Sequence, residues 1–201
     1  VREHHNLHAP RAMVVLKPLK VVLTNYPDDQ VEQLTGANHP QNPAMGSRQL
    51  PFTKTLYIDQ EDFRESANKK FKRLVIDDYV RLRSGYVIKA DEIVRDSSGE
   101  ISEIIGSYVP NTVGEDPPEG IRPRGVIHWV SASHCIDCDL YLYENLFTVP
   151  APDSGEGSFL DFINPESLKI VRNCKAEVGL ANASEGEHYQ FEREGYYCLD
   201  A

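Results

Sequence analysis

Apolar and polar positions alternate with a period of two over several short stretches of this chain. Leu19, Val21 and Leu23 alternate with Lys20 and Thr24, and Lys54-Thr55-Leu56-Tyr57-Ile58 follows the same rule. So do Val126-Ile127-His128-Trp129-Val130 and Leu140-Tyr141-Leu142-Tyr143. A two-residue period sends successive side chains to opposite faces of a strand. The clearest local prediction is a hairpin, because residues 86–95 and 101–109 are rich in valine, isoleucine and tyrosine and flank Asp96-Ser97-Ser98-Gly99. Helical signals are brief. Asp59 is placed to cap a turn reaching Ala67 with Phe63 facing inward, and residues 159–163 predict a second short turn that ends before Asn164-Pro165. Proline and glycine mark loops at 38–51, 110–123 and 150–157, the last read as the passage between two sub-barrels. Many short strands spaced this way predict an all-β barrel or sandwich, and the lack of a fixed repeat disfavours solenoids and propellers.

Composition narrows the picture. A length of 201 residues allows one large domain or two small ones. The longest apolar runs, such as Ala12-Met13-Val14-Val15-Leu16, fall far below the roughly 18 residues of a membrane span. No apolar leader follows Val1-Arg2-Glu3-His4-His5, so the chain reads as a piece of a longer protein. Four cysteines are too sparse for a disulfide framework, which places the chain in the reducing cytoplasm. A net charge of −10 argues against a protein held on nucleic acid by bulk charge, so any such contact has to be local.

One segment departs from that acidic background. Residues 64–83 carry seven bases (Arg64, Lys69, Lys70, Lys72, Arg73, Arg81, Arg83) against three acids. Read as a strand, Asn68-Lys69-Lys70-Phe71-Lys72-Arg73-Leu74 puts Lys70, Lys72 and Leu74 on one face, with Phe71 and Arg73 on the other. Arg81 and Arg83 flank an inward Leu82 in the same way. Such a surface suits phosphates and unstacked bases, and it equally suits a solvated edge strand guarded by lysines. Cys135 and Cys138 have the spacing of a zinc half-site, but no second closely spaced pair completes it, and they read as reduced thiols near a strand. His128 reads as a core histidine with a satisfied ring nitrogen. Residues 190–196 read as an amphipathic strand turning at Gly195. Phosphate-loop, dinucleotide and nucleophile-elbow motifs are absent, so no catalytic centre assembles.

Several of these segments, in order along nearly the whole chain, resemble the C-terminal anticodon-binding region of glutaminyl-tRNA synthetases. They include Ala9-Pro10-Arg11-Ala12-Met13, Asn38-His39-Pro40, Met45-Gly46-Ser47-Arg48, Phe71-Lys72-Arg73-Leu74, Val80-Arg81-Leu82-Arg83, Gly125-Val126-Ile127-His128-Trp129-Val130, Ile163-Asn164-Pro165-Glu166-Ser167-Leu168 and Gln190-Phe191-Glu192-Arg193-Glu194-Gly195-Tyr196. The resemblance implies two ribosomal-protein-like β-barrels. A proximal one would use residues 10–66 and 150–201, a distal one residues 67–149, with 1–9 as a linker from a catalytic and helical part. It also implies a monomer whose ATP, magnesium and glutamine chemistry belongs to that N-terminal catalytic domain, so that this piece binds the anticodon loop of glutamine tRNA and carries no cofactor.

By the same resemblance, Arg81 contacts the first anticodon base, Arg11 and Gln190 hold the middle uridine, and Arg73 meets the third base. That base is a guanosine, whose O6 and N7 acceptors suit an arginine fork. Asn6 and Gln41 occupy nearby loop positions, and Lys72, Arg83 and Arg193 complete the RNA-facing set. Lys70 stands where the family carries glutamine, which implies phosphate contact. The family continues past Cys198-Leu199-Asp200 into one further strand. A eukaryotic-type glutamyl-tRNA synthetase region and a stand-alone ribosomal-type RNA-binding protein are the alternatives; the Pro10-Arg11-Ala12-Met13 and Glu192-Arg193-Glu194-Gly195 segments favour glutamine, and the ribosomal type lacks support in the charge.

Overall fold

The computed structural model describes residues 2–154 and 157–200; Gly155 and Glu156, within the expected loop at 150–157, lie outside the described residues. The fold is all-β. Its largest unit is a seven-stranded sheet in the order Val126–Ile127, Tyr79–Leu82, Val87–Arg95, Ile101–Val109, Pro18–Leu23, Thr55–Asp59, Val130–Ser131. Laid flat, seven strands at about 4.8 Å spacing would be roughly 29 Å wide. Yet the two edge strands are joined by only His128 and Trp129, which reach about 11 Å even when extended. The sheet therefore has to curl into a half-barrel, and this explains why the alternation predicted for 126–130 breaks. Ile127, His128, Trp129, Val130 and Ser131 are all buried as the chain crosses the opening.

The other segments predicted to alternate keep their period of two. Pro18–Leu23 buries Leu19, Val21 and Leu23, and Val87–Arg95 pairs antiparallel with Ile101–Val109 as the hairpin signal requires. Its turn is set by Asp96, whose Oδ1 accepts from the Ser98 amide at 2.8 Å and the Glu100 amide at 3.1 Å. Inside the curl, Phe52 packs edge-on against Tyr26 and Trp129, and the Trp129 indole donates to the Arg83 carbonyl at 2.9 Å.

A second core, built on Val14, Leu140, Cys174, Ala176 and Phe191, lies under a three-stranded sheet of Cys135–Tyr143, Leu168–Glu177 and Val14–Val15. A further sheet joins Arg11–Ala12, His188–Phe191 and Gly195–Cys198. The seven-stranded sheet and the sheet of Cys135–Tyr143, Leu168–Glu177 and Val14–Val15 each contain strands from both of the segments expected to form separate barrels. Cys135 packs on the first core and Cys138 on the second, because side chains three apart on a strand point to opposite faces.

Three local expectations need correction. Ser47–Phe52, inside the loop predicted at 38–51, is a strand paired antiparallel with Glu32–Ala37; only Pro51 of the three prolines falls in it, and an isolated two-stranded sheet tolerates the missing donor. The turn capped by Asp59 stops at Asp62, since Phe63–Arg64 extends to pair with Leu74–Val75. The C-terminal turn falls at residues 192–194 rather than at Gly195, which begins the next strand. Within the segment expected as a linker, Arg2–His8 forms a short helix.

Candidate RNA interface

The basic stretch does not form the strand that would have split its lysines and arginine between two faces. Asn68 accepts from the Lys70 amide through Oδ1 at 2.9 Å, and its carbonyl accepts from the Phe71 amide at 3.1 Å, so the chain turns. Arg124 then occupies the carbonyls a partner strand would need. Its guanidinium donates to Phe71 O at 3.1 Å, Asn68 O at 2.5 Å and the Asp78 carboxylate at 2.6 Å. Gly125 lets the loop approach closely, because a Cβ there would sit 2.1 Å from the Lys72 carbonyl oxygen.

The loop thus forms one wall of an open cleft of about 590 Å³ lined by Arg64, Lys70, Phe71, Lys72, Arg73 and Arg193 among others. Arg64 lies over the Phe71 ring at 4.5 Å, giving a flat cationic platform. Paired with Arg73 and Arg193 of this lining is Asp62, which lines the neighbouring smaller cleft and whose side chain is 2 % exposed. Arg193 grips it with two bonds of 2.6 and 2.7 Å, and the Arg73 Nε stands 3.2 Å from its Oδ1. Below, His128 is buried with Nδ1 3.4 Å from Arg193 and Nε2 unpartnered, so only one ring nitrogen is satisfied. Burial pushes its pKa down, with the Asp62 charge opposing. A smaller, more acidic cleft of about 270 Å³ shares Arg73 and Arg193 and includes Asp59, Glu61 and Glu194; burial pushes the Glu194 carboxyl up.

A second group gathers where the N-terminal helix meets the last strands. Arg11 and Gln190 are register partners in a parallel pair. Arg11 donates to the Ala9 carbonyl at 3.0 Å, and the Asn6 carbonyl faces His39 Nε2 at 2.7 Å. His39 Nδ1 accepts from the Gln41 amide at 3.2 Å, and the Tyr196 hydroxyl donates to the Asn6 side chain. Gln190 Oε1 is buried with no hydrogen-bond partner, and so is Arg83 Nε, which is 3.8 Å from Glu192. The run Gln190 to Arg193 therefore joins this group to the basic cleft.

Lys70, Lys72, Arg73 and Arg193 are brought together in the cleft, and Asn6, Arg11, Gln41 and Gln190 in the second group. Arg81 belongs to neither. It lies beside Val126 on the sheet, and its guanidinium donates to the carbonyls of Thr112 and Glu115, the latter at 2.7 Å. Sequence reasoning missed Asp62 and Arg124. The signal for Asp62 was its place after the Asp59 cap and before the inward Phe63, which turns an otherwise solvated acid into the core.

Two family models, both described as the anticodon-binding domain of class I (E and Q) tRNA synthetases, match residues 9–109 and 126–200. The chain belongs to that family. The anticodon-binding chain is also 53 % identical over 202 residues to the glutamine–tRNA ligase of Stutzerimonas stutzeri, covering all of itself and 36 % of that protein. It is 50 % identical to the glutamine–tRNA ligases of Enterobacter sp. (strain 638) and Idiomarina loihiensis, covering 36 % and 35 % of them. It spans about a third of the length of these relatives.

Proposed function

We propose that this chain reads the anticodon of glutamine tRNA on behalf of a longer, cytoplasmic and monomeric ligase. The observation that carries the reading is the convergence of Lys70, Lys72, Arg73 and Arg193 on one open cleft in a chain of net charge −10. Sequence-specific RNA recognition needs unstacked bases, which an anticodon loop supplies. In this reading Arg73 offers its fork to O6 and N7 of a third-base guanosine, while Lys70 and Lys72 hold flanking phosphates. Gln190, with its orphan Oε1, and Arg11 hold the middle uridine. Buried polar atoms without partners are uncommon enough to mark a place where a ligand completes the pairing. Asn6 and Gln41 support that pocket, Arg83 bridges the two, and Arg81 meets the first base after leaving its carbonyls.

Activation of glutamine with ATP and magnesium falls in this reading to the remaining two thirds of the protein. That part would also cover the exposed apolar face made by Tyr141, Tyr143, Leu168 and Ile170, which are register partners on one ribbon. Two variants test the cleft. Arg73→Ala should weaken cognate stem-loop binding by about 1–3 kcal/mol and relax third-base preference. Lys72→Ala should lower affinity evenly across sequences and cut the salt slope by about one. Equal losses against every third base for Arg73→Ala would remove it as a reader.

A further inference from the structure

The Asp62 carboxylate lines the smaller, acidic cleft and pairs with the two arginines that this cleft shares with the basic one. Buried charge of this kind is retained only when paired. Here it is shared by two guanidinium groups from distant parts of the sequence, with Arg193 binding it at 2.6 and 2.7 Å and Arg73 Nε at 3.2 Å. Arg73 is fixed on a second side, since its Nη1 donates to the Glu61 carbonyl at 3.0 Å. Its Nη2 has no hydrogen bond within the described residues, and its side chain is 39 % exposed. Arg193 holds φ at 70°, a left-handed conformation that residues other than glycine rarely adopt, so the turn at 192–194 is bent to deliver this guanidinium. Both arginines line both clefts, which makes the Arg73–Asp62–Arg193 bridge the partition between them.

We infer that Asp62 is the positioning residue that sets the orientation of Arg73 toward the third anticodon base, and so determines specificity without touching RNA. The inference rests on reading the cleft as the seat of that base. Two effects of removing the carboxylate have opposite signs. The neighbourhood of Arg73 and Arg193 loses one negative charge, which strengthens charge-driven and sequence-independent RNA binding. Arg73 loses its fixed direction, and a fork that is not held in one plane cannot match two acceptors on one base edge.

The test is a titration of the 201-residue chain and its Asp62→Asn variant with anticodon stem-loops carrying each of the four third bases. Asp62→Asn should lose about tenfold in the preference for guanosine, with affinity for the other three loops unchanged or raised and a salt slope no smaller than that of the parent. Combined with Arg73→Ala, it should cost no further selectivity, because it acts through that arginine. A folded Asp62→Asn chain that keeps its preference, or that weakens equally against all four loops, overturns the inference. A parent chain without guanosine preference would instead sink the reading of the cleft itself. The unmutated chain gives an independent check by NMR: the Arg73 guanidinium, held by the Glu61 carbonyl at 3.0 Å and the Asp62 carboxylate at 3.2 Å, should show restricted side-chain motion in Nε relaxation of the free chain, and a freely mobile guanidinium overturns the inference whether or not the variant folds.

Discussion

Replacing Gly125 with alanine tests how the basic loop is held. The new Cβ would lie 2.1 Å from the Lys72 carbonyl oxygen and 3.0 Å from its carbonyl carbon. To reach even a tight 3.0 Å contact, the carbonyl oxygen has to retreat by about 0.9 Å. The obstacle is backbone, so no side-chain rotation relieves it. Nor can the loop slide freely, because Arg124 ties Phe71 O and Asn68 O in place. Forced overpacking of this sort costs about 1–3 kcal/mol. At about 2–4 °C per kcal/mol for a chain of this size, the midpoint of thermal unfolding should fall by roughly 2–12 °C. Displacing Lys72 should also lower the slope of log affinity against log salt by about one. Calorimetry and a salt-dependent RNA titration read the two effects. Gly179→Ala is the control, since its nearest neighbour would be Glu177 Oε1 at an ordinary 3.8 Å, and it should stay within about 0.5 kcal/mol of the parent. Gly125→Ala behaving like Gly179→Ala in both assays would refute the claim that close approach to residue 125 shapes the loop.

Three further outcomes are expected. Burial holds the pKa of His128 below its ordinary 6.5, so the unfolded chain takes up the proton first as pH falls. The stability advantage of the parent over His128→Gln should therefore be full above about pH 6.5 and shrink toward pH 5; melting curves that stay parallel across that range would remove the effect. Because Arg81 has to release two carbonyls before it can meet RNA, exchanging the first anticodon base should change affinity less than exchanging the second or third, as stem-loop titrations would show. Arg81→Ala should mobilise residues 112–115 in hydrogen exchange while leaving third-base preference intact, and a loss of that preference would place Arg81 in the cleft after all.

The strands at 18–23 and 55–59 and the hairpin at 87–109 were legible because each has one face in the core, and a half-buried strand writes its period into the residues. The strand at 47–52 was hidden by prolines, which signal a break by composition although only Pro51 needs a missing donor. Burial on both sides at His128 and Trp129 erased the alternation where the sheet curls. Among site residues, the charge excess at 64–83 pointed to the segment that lines the larger cleft, since charge survives any error in secondary structure. The turn at Asn68 was not legible: it depends on Arg124, more than fifty positions away in sequence, which claims the loop's carbonyls. Asp62 was missed for a related reason, as its bidentate partner Arg193 lies 131 positions away.

We propose that the chain discriminates anticodon bases rather than holding RNA by charge alone. Fluorescence anisotropy of the unmodified chain with anticodon stem-loops altered one base at a time measures this directly. Replacing the middle uridine or the third guanosine should each weaken binding by about 1–3 kcal/mol at fixed salt. Affinities that stay equal across all the altered loops, and fall together as salt rises, would contradict the account.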